Sequence, residues 1–164
     1  MNLFFLDAKP RIAATYLADK HVGKMLLEAC QMMSTAARAN GFEGGYKSAY
    51  ENHPMTKWVG QSFAHYNWCW EHAIALAVEH VVRFETEHSA QDLLPTLSVA
   101  MHKVMPDLEW RNPPRCIPDK YKIEYDTWDD PAVPCHVQSY RDYYQHDKAH
   151  LHKWTNREAP IWIV

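Results

Sequence analysis

Between Asp19 and Thr35 the polar positions are sparse and regular: His21, Lys24, Glu28, Gln31 and Thr35 recur at spacings of 3, 4, 3 and 4. At about 3.6 residues per turn these five share one narrow strip of a helix. Most other positions there are apolar, from Val22, Met25, Leu26 and Leu27 through Ala29, Cys30, Met32 and Met33 to Ala36 and Ala37. A surface helix has a wide polar face and a narrower apolar one. The proportions are reversed here, which predicts an interior helix whose polar strip lines a cleft. Ionisable groups in such a place are costly unless paired or used, so the strip marks the expected centre of function. The competing explanation is a Lys24–Glu28 pair at i,i+4 that closes on itself.

The rest of the pattern is also helical. Phe4-Phe5-Leu6 gives a short extended start, a turn follows at Asp7 to Pro10, and a first helix runs from Arg11 to Leu17. Asn40-Gly41 ends the strip-bearing helix. Asn52-His53-Pro54 opens the next, with proline at its first position. Helical periodicity then continues from Met55 to Glu87 with a break expected near His65 to Asn67. In its second half Ile74, Ala77, Val78, Val81 and Phe84 gather on one side, and His72, Glu79 and Arg83 on another. Gln91 to Val104 is a further helix, its firm part displaced later by Pro95. Residues 106–134 hold six of the ten prolines and read as an irregular arm. Val137 to Leu151 is the last helix, before an apolar Ile161-Trp162-Ile163-Val164 tail. The predicted architecture is all-α: a compact, single-domain helical bundle with a short extended N-terminus and a proline-rich irregular arm.

Composition narrows the function. The chain has 164 residues, 47% of them hydrophobic, with seven Trp and nine Tyr, enough for a core of its own. No apolar run approaches the length of a membrane-spanning helix, so no membrane association is expected, and Met1 to Leu6 lacks the features of a signal peptide. The four cysteines form no CxxC pair and read as reduced thiols of a cytoplasmic protein. A formal net charge of -3 argues against a broad basic footprint but permits a local basic groove.

Three clusters carry candidate chemistry. Asn52, His53, Lys57 and Trp58 surround a helix N-terminus, where unpaired N–H groups favour anions such as phosphate; simple capping by Asn52 or His53 explains them equally well. Tyr140, Arg141, Tyr144 and Lys148 interleave aromatics with cations, a mixture suited to stacking on bases and pairing with phosphates. An aromatic core face with snorkelling cations is the alternative, strongest for the tyrosines. Pro118-Asp119-Lys120-Tyr121-Lys122 is a polar cluster that either closes over a substrate through Lys122 or is a solvated turn. His146 and His150 at i,i+4 lack an acidic or cysteine partner at diagnostic spacing, so neither metal nor cofactor is expected. Dinucleotide, P-loop, GxSxG and kinase signatures are absent.

Leu17-Ala18-Asp19-Lys20-His21-Val22 followed by Glu28 resembles the catalytic helix of the phage-type pyrimidine-dimer DNA glycosylases. Asn52-His53-Pro54-Met55-Thr56-Lys57-Trp58-Val59-Gly60 is similar to a segment in bacterial members of that superfamily. A weaker echo is the closing run of Lys148, Trp154, Pro160 and Trp162, and the overall layout resembles that of a small protein common in phage genomes. The resemblance implies an all-α fold, a DNA substrate and base excision by the chain's own α-amine. An α-amine titrates near roughly 7.7–8.0, so it is partly neutral where a lysine is charged. By position the catalytic set is Glu28, the Met1 amine and His21. Substrate contacts would come from Asn2, Asp19, Lys24, Gln31, Asn52, His53, Lys57, Trp58, Lys122, Tyr140, Arg141, Tyr144 and Lys148. Where the best-known members start on threonine, Asn2 follows Met1 here, and asparagine is large enough for Met1 to be retained. Leu27 stands where those members carry an arginine just before the catalytic glutamate.

Two other functions remain open at this level. One is an enzyme modifying an unusual nucleotide or DNA base without a lyase step; the other is a non-catalytic protein that captures a nucleotide. Both need paired charges in a cleft.

Overall fold

The computed structural model describes residues 1–124 and 132–164. Among them six α-helices form: α1 Pro10–Tyr16, α2 Asp19–Ala39, α3 Pro54–Gln61, α4 Phe63–Phe84, α5 Leu94–Val104 and α6 Cys135–Asp147. Short 3₁₀ turns lie at Ser89–Leu93, Asp119–Tyr121 and Ala149–Leu151, and the described residues contain no strand. The described part of the proline-rich arm is otherwise irregular, as its composition predicts; Tyr125–Pro131 lies outside the described residues. No helix among the described residues is long and apolar enough to cross a membrane.

α2 is the central element, packed against α3, α4 and α5. Twelve of its residues are buried, including Met25, Leu26, Ala29, Met32 and Met33. It ends as predicted: Gly41 adopts a φ of +89°, a left-handed position that a side chain would strain. α3 begins with Pro54, and His53 Nδ1 accepts the Met55 N–H at 3.2 Å.

Two boundaries differ from the periodicity. The interruption expected near His65 to Asn67 falls at Ser62. Its hydroxyl accepts the His65 N–H at 3.2 Å and starts α4, while the Phe63 N–H donates to the Pro106 carbonyl at 2.7 Å. A serine cap outweighed an apolar pattern that runs across it. The last helix begins at Cys135 and stops at Asp147, with only a 3₁₀ turn beyond.

The second half of α4 buries its charged side along with Ala73, Leu76 and Ala77. His72, Glu79 and Arg83 are buried, whereas Val78 and Val81 are 56% and 42% exposed. Ion pairing makes this burial possible: Arg83 Nε donates to Glu79 Oε2 at 3.1 Å, so the charged side satisfies itself in the interior.

The opening residues form no strand and are buried. Phe4 has a φ of +47°, unusual for an aromatic residue. The carboxamide of Asn2 supports this turn, Oδ1 accepting from Leu3 N–H at 2.9 Å and Phe4 N–H at 3.4 Å. Phe4 and Phe5 then pack against α6 through Tyr140, Tyr144 and His136.

Burial holds three histidines neutral. His21, His72 and His136 are each pulled from 6.5 to about 4, chiefly by desolvation; Lys148 and then Lys24 add to the effect at His21, and Arg115 at His136. The unfolded chain takes up protons at these sites before the folded one does. Their stabilising contribution is therefore complete above pH 6.5 and is lost as pH falls towards 4. Thermal melting followed by circular dichroism should show Tm declining continuously through that window. A Tm that stays level down to pH 4.5 would contradict the neutral assignment.

Candidate functional site

The strip on α2 divides into two parts. Its first two turns present His21, Lys24 and Glu28 to a cleft of about 250 Å³, also lined by Met1, Asn2, Phe4, Met25, Cys116, Tyr143 and Lys148. Its far end serves the fold: the Thr35 hydroxyl donates to Gln31 O at 2.9 Å and accepts the Ala49 N–H at 3.0 Å, anchoring the loop after α2. Gln31, half-buried between the two, is not part of the cleft wall.

Glu28 does not close on Lys24. Its Oε2 accepts the Asn2 backbone N–H at 3.0 Å and stands 3.8 Å from the Met1 nitrogen. Lys24 is exposed and makes no ion pair within 4 Å among the described residues. The first peptide unit of the chain is thus laid against the carboxylate of the strip. With Lys24 and Lys148 at the rim, one carboxylate faces two ammonium groups and an α-amine, so the cleft favours an anionic ligand.

His21 lines the same cleft as an uncharged group. Its ring stacks on Phe4 at 4.8 Å, and Nδ1 lies 2.8 Å from the Tyr144 hydroxyl. That hydroxyl already accepts the Ala18 N–H at 2.8 Å, which leaves its own proton for Nδ1. His21 then carries its proton on Nε2 and offers a neutral donor. Burial between Phe4 and Tyr144 is what keeps the ring uncharged.

His53 sits close by. Its imidazole is pushed below the ordinary range first by burial and then by the nearby α-amine, with Glu28 pulling the other way. It lines a larger groove of about 780 Å³ with Pro54, Arg115, Ile117 and Lys122. Cys116 borders both spaces. Lys122 pairs with Asp119 at 2.6 Å on this groove. Asn52 is exposed next to His53.

Several predicted contacts are placed elsewhere, each for a visible reason. Asp19 accepts Thr155 N–H at 2.9 Å and the Thr155 hydroxyl at 2.7 Å, and pairs with Arg83 at 3.3 Å, so it fastens the C-terminal tail. Trp58 is buried, stacked on His65 at 4.3 Å, with Nε1 donating to Arg111 O at 2.9 Å. Lys57 faces a separate cavity with Thr35, Glu51 and Gln61. Arg141 Nε donates to Leu6 O at 2.8 Å and its guanidinium pairs with Asp7 at 3.2 Å, pinning the opening segment. Tyr140 and Tyr144 are wholly buried, which leaves no face for a base to stack on.

Of the predicted set, then, Met1, Asn2, His21, Lys24, Glu28 and Lys148 meet in one cleft, and His53 and Lys122 in the adjoining groove. Tyr143 completes the cleft, with Lys148 Nζ 5.0 Å from its ring centre. It stands in the same aromatic run as Tyr140 and Tyr144, where sequence alone gave no reason to prefer it. No local signal marks Cys116, which comes from the irregular arm.

No curated protein and no solved structure matches the chain. Residues 1–92, more than half of its length and including the strip, match the family described as pyrimidine dimer DNA glycosylase. The chain belongs to the pyrimidine dimer DNA glycosylase family.

Proposed function

We propose that the chain cleaves an N-glycosidic bond in DNA, with the Met1 α-amine as nucleophile and Glu28 as the proton carrier. The observation that carries this reading is the Met1 nitrogen 3.8 Å from Glu28 Oε2, inside a cleft rimmed by Lys24 and Lys148. Family membership supplies the class of substrate.

The chemistry follows from the groups present. The neutral amine forms a bond to C1′ as the bond from C1′ to the base breaks, the electron pair leaving with the base and a proton restoring it. Glu28 takes the proton that the attached nitrogen must shed and returns it to O4′, which opens as an alcohol to leave a protonated imine, while the departing base takes its proton from solvent. Glu28 then takes a C2′ proton from the imine, and the electron pair left behind expels the 3′ phosphate. Lys24 and Lys148 hold flanking phosphates, and the His21 Nε2–H donates to a sugar or phosphate oxygen without adding charge.

The test is borohydride trapping on an oligonucleotide carrying one abasic site. A covalent adduct is expected, and peptide mass analysis should place it on the Met1 nitrogen. An adduct confined to a lysine side chain, or none at all, would overturn the assignment.

A further inference from the structure

An N-terminal residue normally frays, because little ties it down. Here the second residue is fixed at both ends of its side chain. Asn2 Nδ2 donates to the Cys116 carbonyl at 2.9 Å. Its Oδ1 accepts from the Tyr140 hydroxyl at 2.9 Å, beside the two N–H groups of the Phe4 turn. The Tyr140 hydroxyl is itself fixed, accepting the Cys116 N–H at 3.1 Å with Pro114 O at 3.1 Å as the other acceptor within reach. Tyr140 is fully buried, and Asn2 is 8% exposed. On the other side the Met1 side chain is 2% exposed, its Sδ 3.9 Å from the Thr56 hydroxyl of α3.

We propose that Asn2 and Tyr140 form a clasp that positions the α-amine against Glu28, and that the Met1 side chain, seated against Thr56, is its third fixed point. This rests on the excision reading above and adds residues to it. Tyr140 and Cys116 lie beyond residues 1–92, so the second half of the chain sets the geometry of a nucleophile carried by the first. Asparagine serves two ends. It is bulky enough to keep Met1 in place, and its carboxamide offers a donor and an acceptor to two different partners. The arrangement also gives α6 a role different from base stacking: its tyrosines hold the amine and His21 from behind. A nucleophile confined in this way attacks without first being ordered, and a displacement of about 1 Å can cost on the order of 100-fold in rate.

Two variants test the clasp. Tyr140→Phe removes one hydroxyl and keeps the ring. Asn2→Leu removes the carboxamide at similar size and still retains Met1. Three quantities are read on each: affinity for an oligonucleotide with a tetrahydrofuran abasic analogue, which cannot form an imine; the single-turnover rate of borohydride trapping on a true abasic site; and the rate at which dilute acetic anhydride labels the α-amine. Trapping is expected to slow by roughly 10- to 100-fold while analogue affinity stays within about threefold. Labelling of the α-amine should quicken severalfold in both variants. Unchanged labelling together with wild-type trapping per bound complex would overturn the clasp, as would equal losses of affinity and trapping in both variants. Were the wild-type chain to form no adduct, the excision reading would fall, and the labelling rates alone would still decide whether Asn2 and Tyr140 restrain the amine.

Discussion

Glu28→Gln should leave the protein folded and able to bind damaged DNA while stopping base excision almost completely. The substitution keeps the length and shape of the side chain, and its amide oxygen can still accept the Asn2 N–H now held at 3.0 Å. What disappears is the negative charge 3.8 Å from the Met1 nitrogen and the capacity to take and return protons. A positioned proton carrier contributes about 10²- to 10⁴-fold, and Glu28 is asked to serve at the amine and again at C2′, so the upper end of that range is expected. In free-energy terms, a 10⁴-fold loss corresponds to about 5.4 kcal/mol of transition-state stabilisation. Binding should hold or tighten, because one anion leaves a cleft rimmed by the ammonium groups of Lys24 and Lys148. Single-turnover excision and equilibrium binding measured side by side check this. Retention of a tenth or more of the wild-type rate, or parallel losses of binding and thermal stability, would remove Glu28 from the chemistry and return it to a structural role.

What could be read from sequence, and what could not, follows from the range of the contacts. His21, Lys24 and Glu28 were legible because a helix converts spacings of 3 and 4 directly into a shared face, and α2 is long and regular. The helix punctuation at Pro54 and Gly41 was legible for the same local reason. Tyr140, Arg141 and Tyr144 have the composition of a nucleic-acid surface, yet their partners are Asn2, Leu6 and His21, more than 120 residues away. Periodicity reports which residues share a face and says nothing about what that face meets. α4 shows the same limit: spacing groups His72, Glu79 and Arg83 on one side but does not say that this side is buried. The pairing partners, Asp19 and Arg157 among them, decide it. Met1, Asn2 and Cys116 converge through contacts of similarly long range, which no local rule anticipates.

The same partners make Arg83 the residue whose loss should cost most stability. It lies with its side chain fully buried where four segments meet. Nε donates to Glu79 at 3.1 Å, one terminal nitrogen reaches Leu17 O at 2.6 Å and Asp19 at 3.3 Å, and the other reaches Thr15 O at 2.9 Å. Glu79 in turn accepts two bonds from Arg157, at 3.0 and 2.8 Å. Two carboxylates and two guanidiniums therefore balance, and the carbonyls ending α1 are satisfied together with the first residue of α2. Arg83→Met fills much of the space but leaves Glu79 and Asp19 to Arg157 and the Thr155 groups, with the Thr15 and Leu17 carbonyls stripped of their guanidinium donor. Breaking one partner of a buried pair typically costs about 3–5 kcal/mol, a large share of the roughly 5–15 kcal/mol that holds a domain of this size together. Arg83→Lys should recover little, since one ammonium cannot span the fork that meets two carbonyls and two carboxylates. Urea titration should show the midpoint falling sharply with the slope unchanged. A loss below about 1 kcal/mol would mean that the network is dispensable. Because Asp19 and His21 stand two residues apart in the first turn of α2, the variant that still folds should also excise more slowly, the loosened start of the helix carrying His21 away from Tyr144 and the cleft.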